Sequence, residues 1–424
     1  MNGSKYAVGV DIGTDAVKVV VGHIGDMTVS DDGQSEHSKQ HGKITIVGVG
    51  VHVNTGMRKG VVADLDKTAE AVDRALEAAE RMSGYQIDHA TVSINGSHIV
   101  GLSSRGVVAV TGGNTIDHEE LMRVEEAATV VRLPANREIL DVTPRSYKLD
   151  AQENIRDPFG MTGVRLEVDA YMITALAPHL KNIEKVLEMT ELTPTQIVVS
   201  GIASANVALS DQQRENGAVL IDIGGATTNI DVFEEGDIIH TAVLPIGSNN
   251  ITNDLAIGLK TDLSIAEKVK VQRAVAAPEL RRGSGEMVKV KIGGARELEF
   301  KAAIVDDIVE ARLAEIFELI NKELKKIKKQ SNLPGGAVIA GGGAKLLGIA
   351  DYAREVLGMN ATIVKTSERF DGMLEQITDP ALTSALGLMS IDMNKTPVAS
   401  TKRKSGGIFA NIGNKLNSIF AKKK

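Results

Sequence analysis

Asp11-Ile12-Gly13-Thr14 and Asp222-Ile223-Gly224-Gly225-Ala226-Thr227-Thr228 are two copies of one phrase, one in each half of a 424-residue chain. Each is preceded by an apolar run (Tyr6-Ala7-Val8-Gly9-Val10; Ala218-Val219-Leu220-Ile221) and followed by another (Val17 to Val21; Ile230 to Phe233). The spacing predicts the tight turn of a β-hairpin with a carboxylate at the end of its first strand. Glycine lets backbone N–H groups approach phosphate oxygens with no Cβ in the way. Successive N–H groups in such a turn form an anion-binding concavity, to which the hydroxyls of Thr14, Thr227 and Thr228 add donors. A carboxylate beside the turn repels phosphate unless a cation lies between, so Asp11 and Asp222 imply a hydrated Mg²⁺. Two such turns in corresponding halves predict a duplicated fold that clamps one nucleotide.

Composition narrows the function classes. Hydrophobic residues make up 43%, ample for sizeable cores, whereas aromatics are 3% with no Trp, which argues against a base-stacking platform for nucleic acid. The absence of Cys excludes disulfides, thiolate metal sites and cysteine nucleophiles. The His residues show no close metal-ligand spacing and read as solvated or core side chains. Met1 leads through a short polar stretch into a strand, with no signal peptide, and no apolar run approaches the roughly 20 residues that span a bilayer. A cytoplasmic protein is expected. The net charge of −7 hides an asymmetry: after Asp392 there are eight basic residues and no acidic one, so the body is strongly acidic. A basic tail on an acidic body points to an anionic partner, whether membrane lipid, nucleic acid or acidic protein.

Along the chain, strand-like runs at 5–11, 17–24 and 43–53 precede a helix over about 64–83, where Leu65, Ala69, Val72, Leu76, Ala79 and Met82 have helical spacing. The polar stretch 26–43 reads as a solvated hairpin tip. A different pattern over 84–164, with alternating strands and a helix at about 117–131, predicts a small α+β insertion. Regular α/β alternation resumes at 167–175. The second half starts at Gly217 and repeats the hairpin plan, with its own insertion at about 273–330 that ends in a long charged helix, 301–329. A helix near 380–389 closes the body, and 394–407 reads as a flexible linker.

Three further elements complete a nucleotide site. Ile339-Ala340-Gly341-Gly342-Gly343-Ala344 puts glycines at the C-terminal end of a strand, before a helix expected near Lys345, where backbone can approach a ring and sugar. Glu267 and Lys270 share one helix face, suited to ribose hydroxyls and to packing on a base; taken alone, such a pair is usually an exposed intrahelical ion pair. Lys18, in an apolar strand four residues after Thr14, needs an anion, and the nearest expected one is phosphate.

The paired turns and the late glycine run resemble the superfamily of actin, heat-shock chaperones and sugar kinases. The insertion at 84–164, with Gly56-Met57-Arg58-Lys59-Gly60-Val61 and Asp157-Pro158-Phe159-Gly160-Met161-Thr162-Gly163-Val164-Arg165, narrows the resemblance to the FtsA family of bacterial cell division, over essentially the whole chain. Ala226 departs from the pattern, since the second phosphate loop usually has Gly there and a methyl can crowd a phosphate oxygen. The resemblance implies an α/β, actin-like fold. Its subdomain 1A covers 1–83 and 165–210, with 1C at 84–164 in place of actin's 1B. Subdomain 2A covers 211–272 and 331–390, and 2B covers 273–330. A linker at 391–405 and an amphipathic membrane-targeting helix at 406–424 follow. It also implies ATP and Mg²⁺ as ligands, with Asp222 and Asp11 as the catalytic and metal-holding residues and at most weak ATPase activity. The implied partners are FtsZ, bound by its C-terminal peptide through 2B, further copies of the chain in filaments, later division proteins and anionic lipid, but no nucleic acid. The implied location is the cytoplasmic face of the cell membrane at the division site.

The tail supports this on separate grounds. Ile408, Phe409, Ile412, Leu416, Ile419 and Phe420 fall within about 120° of a helical wheel, with Lys415 and Lys422 outside that arc. A basic linker before and three Lys after favour an interfacial anchor over a core helix. The alternatives are a phosphotransferase or chaperone of the same superfamily, or a PilM-like pilus assembly protein. The first lacks an identifiable substrate base, the second a following substrate domain, and the third such an anchor.

Overall fold

The computed structural model describes residues 6–23 and 44–393, apart from 112–114, 132, 278–279, 281–282, 284 and 294–295. Two sheets carry the duplication. The first contains, in spatial order, Thr193–Val199, His89–Ile94, Tyr6–Ile12, Ala16–His23, Ile44–Val53 and Phe370–Gly372. The second contains Asp237–Leu244, Thr228–Glu234, Ala218–Ile223, Gly336–Ala340 and Ala361–Ile363. In each, three consecutive strands form an antiparallel meander, and the next two strands of the lobe add in parallel beside the first. Two lobes therefore share one topology. The central strands are apolar on both faces, as expected where helices cover both sides of a sheet.

Local chemistry explains the helices. In Leu65–Ser83, Asp64 caps the N-terminus by accepting from the Lys67 N–H, and Gly84 ends the helix at φ +75°. Its buried face, including Ala69, Val72, Leu76 and Ala79, joins the first-lobe core. Ser200–Ala208 and Thr383–Met393 pack on one another, and Gly387 is required there: a Cβ would lie 1.8 Å from the Ala203 carbonyl oxygen. Asp392 fastens the last helix by accepting from the Val8 N–H at 3.1 Å and the Thr91 hydroxyl at 2.9 Å.

The insertions are shifted from their expected bounds. His89–Ile94 pairs in the first-lobe sheet, so the excursion begins after Ile94. Arg165–Leu176, expected to resume the lobe, is instead central to the insertion's four-stranded sheet, between Val100–Ala109 and Arg137–Leu149, with Gln152–Ile155 outermost. Its continuous apolar run reflects burial on both faces, which sequence alone does not distinguish from a lobe strand. His118–Thr129 covers that sheet, packing Leu121, Val124 and Ala128 against Leu166 and Val168. The second insertion has a strand pair, Met287–Gly293 and Arg296–Lys301, and the helix Ala302–Lys326, whose apolar face from Val305 to Leu324 lies in the second-lobe core.

The chain also returns further than expected. Residues 331–390 read as second lobe, yet Phe370–Gly372 pairs with Ile44–Ile46 in the first sheet and Thr383–Met393 belongs beside the first lobe. Such pairing across more than half the chain leaves no local signal. Among the described residues, no helix is long and apolar enough to cross a membrane. The amphipathic helix expected at 406–424, with Ile408, Phe409, Ile412, Lys415, Leu416, Ile419, Phe420 and Lys422, lies outside the described residues, as does the polar stretch 26–43.

Candidate nucleotide site

The two phosphate-type turns are built alike. The Gly13 N–H donates to the Ala16 carbonyl at 3.1 Å, and the Gly224 N–H to the Thr227 carbonyl at 2.8 Å. Asp11 lies opposite Lys18 in its hairpin and Asp222 opposite Asn229. The carboxylates thus hold the same place in duplicated hairpins. Both turns line one cleft of about 690 Å³, together with Lys18, Glu267, Lys270 and the glycines Gly341, Gly342 and Gly343.

Asp11 and Asp222 are both buried, at 6% and 5% exposure. Lys18 Nζ stands 3.5 Å from Asp11 Oδ2, so the anion it pairs with in this structure is a carboxylate. Asp222 Oδ2 accepts from the Ser204 hydroxyl at 2.7 Å and the Ser384 hydroxyl at 3.2 Å. Burial pushes the Asp222 carboxyl up and the Asp11 charge adds to this, while the two serines and Lys18 act against it. Two buried carboxylates with one lysine paired to Asp11 carry excess negative charge, which a divalent cation would offset. Among the described residues, no cluster of three or more His, Asp or Glu gathers as a protein-only metal cage. Mg²⁺ needs none, since it binds through one or two carboxylates, waters and ligand phosphates. The donor set fits that cation.

Several side chains take other roles than expected. The Thr228 hydroxyl, expected to face phosphate, is buried and donates to the Ile246 carbonyl at 2.9 Å, because its strand position points it into the lobe. Ala344 is buried in the second-lobe core, and Ala226 sits half-buried outside the cleft lining. Thr14 Oγ1 accepts from the Gly60 N–H at 3.0 Å and Thr227 Oγ1 from Asn95 Nδ2 at 3.3 Å, so both hydroxyls keep a proton to donate. Glu267 and Lys270 do form the ordinary intrahelical ion pair, at 2.7 Å, but on the cleft wall, where the Thr252 hydroxyl bridges them.

The glycine run does not lead straight into a helix. Gly341 follows the strand Gly336–Ala340 at φ +80°, and a Cβ there would lie 2.3 Å from Asp222 Oδ1. A 3₁₀ turn, Gly342–Lys345, comes next, and the α-helix starts only at Ile349. Asp15, Asn95, Ser200, Asn229 and Ser384 also line the cleft. Sequence reasoning missed them, although Asp15 stands directly after the quoted turn. Ser204 and Ser384 carry no local signal, because each reaches Asp222 from a different helix.

Comparisons with known proteins agree with this architecture. A family model described as "Cell division protein FtsA" matches residues 219–387, and one described as "SHS2 domain inserted in FTSA" matches 96–174. The chain is 34% identical to the cell division protein FtsA of Pseudomonas aeruginosa over 96% of its own length and 94% of that protein's. It is also 34% identical to FtsA of Bacillus subtilis, over 95% and 87% of the two chains. The chain belongs to the FtsA family.

Solved structures extend the likeness at the level of fold. The PilM–PilN type IV pilus biogenesis complex matches this FtsA-family chain with a TM-score of 0.64 at 18% identity, covering 91% of it and 98% of the other chain. The MamK double helical filament gives 0.51 at 14% identity, covering 92% and 99%. The fold is actin-like, with an SHS2 insertion whose matched range agrees with the sheet that begins after Ile94.

Proposed function

We propose that this chain is an ATP-binding, actin-like scaffold that polymerises and tethers FtsZ filaments to the cytoplasmic face of the membrane at the division site. The single observation that carries the nucleotide part is the pair of equivalent turns, each with its buried carboxylate, facing one cleft. In this reading the Gly225 N–H, with the Thr14 and Thr227 hydroxyls, holds phosphate oxygens, while the Gly13 and Gly224 N–H groups close their turns and leave a cradle free of side chains. Asp11 and Asp222 would hold Mg²⁺, and Lys18, which lines the same cleft, would pair with phosphate. The ion, when bound, supplies charge neutralisation for the phosphates. Gly341, Gly342 and Gly343 offer a surface without side chains to the nucleoside, beside Glu267 and Lys270. Any hydrolysis is slow and secondary to assembly.

Family membership supports the division role and self-association. The segment 273–330 is the proposed 2B subdomain that takes the FtsZ C-terminal peptide. The tail 406–424 is the proposed anchor. Each of its six large apolar side chains gains at most about 1.5–3 kcal/mol if fully buried. Each nearby basic residue adds on the order of 1 kcal/mol against anionic lipid. Interfacial burial is partial and ordering the segment costs entropy, so one copy binds reversibly and a row of copies on a filament gains avidity. Relatives at 30–34% identity over most of the chain support this reading over a PilM-like one, where the likeness is of fold alone. Electron microscopy on anionic lipid monolayers with Mg·ATP tests it. Filaments form with the full chain, and deletion of 407–424 removes them from the lipid; lipid-bound filaments without the tail would refute the anchor.

A further inference from the structure

The cleft contains a carboxylate outside the duplicated pair. Asp15 belongs to the first turn, and by register its counterpart in the second hairpin is Ala226. Its side chain crosses to the other lobe. There Asp15 Oδ1 accepts from Asn249 Nδ2 at 2.6 Å. The carboxyl group covers Gly225 so closely that a Cβ on that glycine would lie 1.9 Å from Asp15 Oδ2. Asn249 is itself fixed to the turn, its N–H donating to the Gly225 carbonyl at 2.8 Å. It lies in the first turn of the helix Ser248–Gly258, next to Ser248, whose N–H donates to the Gly224 carbonyl at 2.9 Å. An anion of the first lobe is thus seated on the phosphate-type turn of the second.

We infer that Asp15 is a resident anion that competes with a nucleotide's phosphates for the second phosphate turn. A carboxylate and a phosphate oxygen seek the same donors and the same positive potential, and like charges exclude one another from so small a cradle. Seated, Asp15 joins the two lobes through Asn249. Phosphate entry breaks that bond. Asp15 therefore holds affinity for nucleoside di- and triphosphates below what the turn alone would give, and it couples phosphate occupancy to the clasp between the lobes. The inference rests on the nucleotide reading above.

Calorimetric titration of the full chain with Mg·ATP tests it, comparing wild type with Asp15→Ala, Asp15→Asn and Asn249→Ala. Both Asp15 variants bind about tenfold more tightly, equivalent to about 1.4 kcal/mol, and Asn249→Ala gains in the same direction. Since the chain has no cysteine, Asp15→Cys with Asn249→Cys provides a second readout. Its oxidative cross-link forms readily and is slowed at least about tenfold by saturating Mg·ATP, which separates the two positions. Unchanged affinity in Asp15→Ala, alongside clear wild-type binding, overturns the competition and leaves the nucleotide site standing. Weaker binding in Asp15→Ala with Mg²⁺ but not with EDTA also overturns it, by placing the carboxylate on the cation. Absence of binding in wild type and variants alike would remove the nucleotide reading and this inference together.

Discussion

Replacing Ser204 by alanine removes the shorter of two hydroxyl bonds to a buried carboxylate, and its consequence belongs to ligand binding more than to folding. Ser204 donates to Asp222 Oδ2 at 2.7 Å and also lies 2.7 Å from the Ser384 hydroxyl, so Ser384, at 3.2 Å from Asp222, would remain as the one donor of the pair. A hydrogen bond to a charged group contributes about 1.5–3 kcal/mol, whereas the alanine methyl leaves no new unsatisfied group. Burial and Asp11 already push the Asp222 carboxyl up. Loss of the hydroxyl moves it further in the same direction, so less of the carboxylate is ionised at a given pH. A neutral carboxyl offers little to Mg²⁺. The affinity for Mg·ATP should therefore fall, by at most roughly tenfold to a hundredfold, the full worth of that bond. The deficit should grow as pH falls and shrink as pH rises, because ionisation returns on the alkaline side. Titration with a fluorescent ATP analogue across the neutral range checks this, with circular dichroism as the control for folding. Wild-type affinity in Ser204→Ala, or a deficit that does not vary with pH, would refute the role given to the hydroxyl.

Two further outcomes concern stability. Burial drives the Asp231 carboxyl up to about 7, against the Thr241 hydroxyl and with a contribution from Asp222. Between the ordinary carboxylate range and about 7 the unfolded state releases this proton first, so the folded state loses stability as pH rises through that window. Asp231→Asn removes the titration, and its Tm should gain on wild type as pH rises from about 4 to 7; a constant difference across the window would contradict the assignment. Gly387→Ala places a methyl against the Ala203 carbonyl, where a Cβ would fall 1.8 Å away. Overpacking of this kind costs about 1–3 kcal/mol, readable as a lower urea midpoint, and an unchanged midpoint would show that the two helices separate freely.

The parts of the fold legible in the sequence are those whose cause is local. A carboxylate, a glycine and a hydroxyl between two apolar runs specify a hairpin turn, and both turns lie where that pattern put them. The helix Leu65–Ser83 is equally plain from its periodicity, and the Asp64 and Gly84 caps close it where that pattern ends. What was not legible depends on partners distant in the chain. Arg165–Leu176 has the apolar run of a lobe strand and owes it to the insertion's own sheet. Phe370–Gly372 finds Ile44–Ile46 across most of the chain, and no short-range pattern records the pairing. The same holds in the cleft. Asp222 could be picked out from its neighbours, but Ser204 and Ser384 could not, since two helices 180 residues apart bring them together. Thr228 misled because hydroxyls alternate in direction along a strand: Thr227 faces the cleft and Thr228 the Ile246 carbonyl.

Direct titration of the full chain and its Asp222→Ala variant with Mg·ATP addresses the central proposal, a nucleotide clamped between duplicated turns. Saturable binding in wild type should be lost in the variant while its circular dichroism spectrum and cooperative unfolding persist. Equal affinity in the two proteins would contradict the assignment of the cleft.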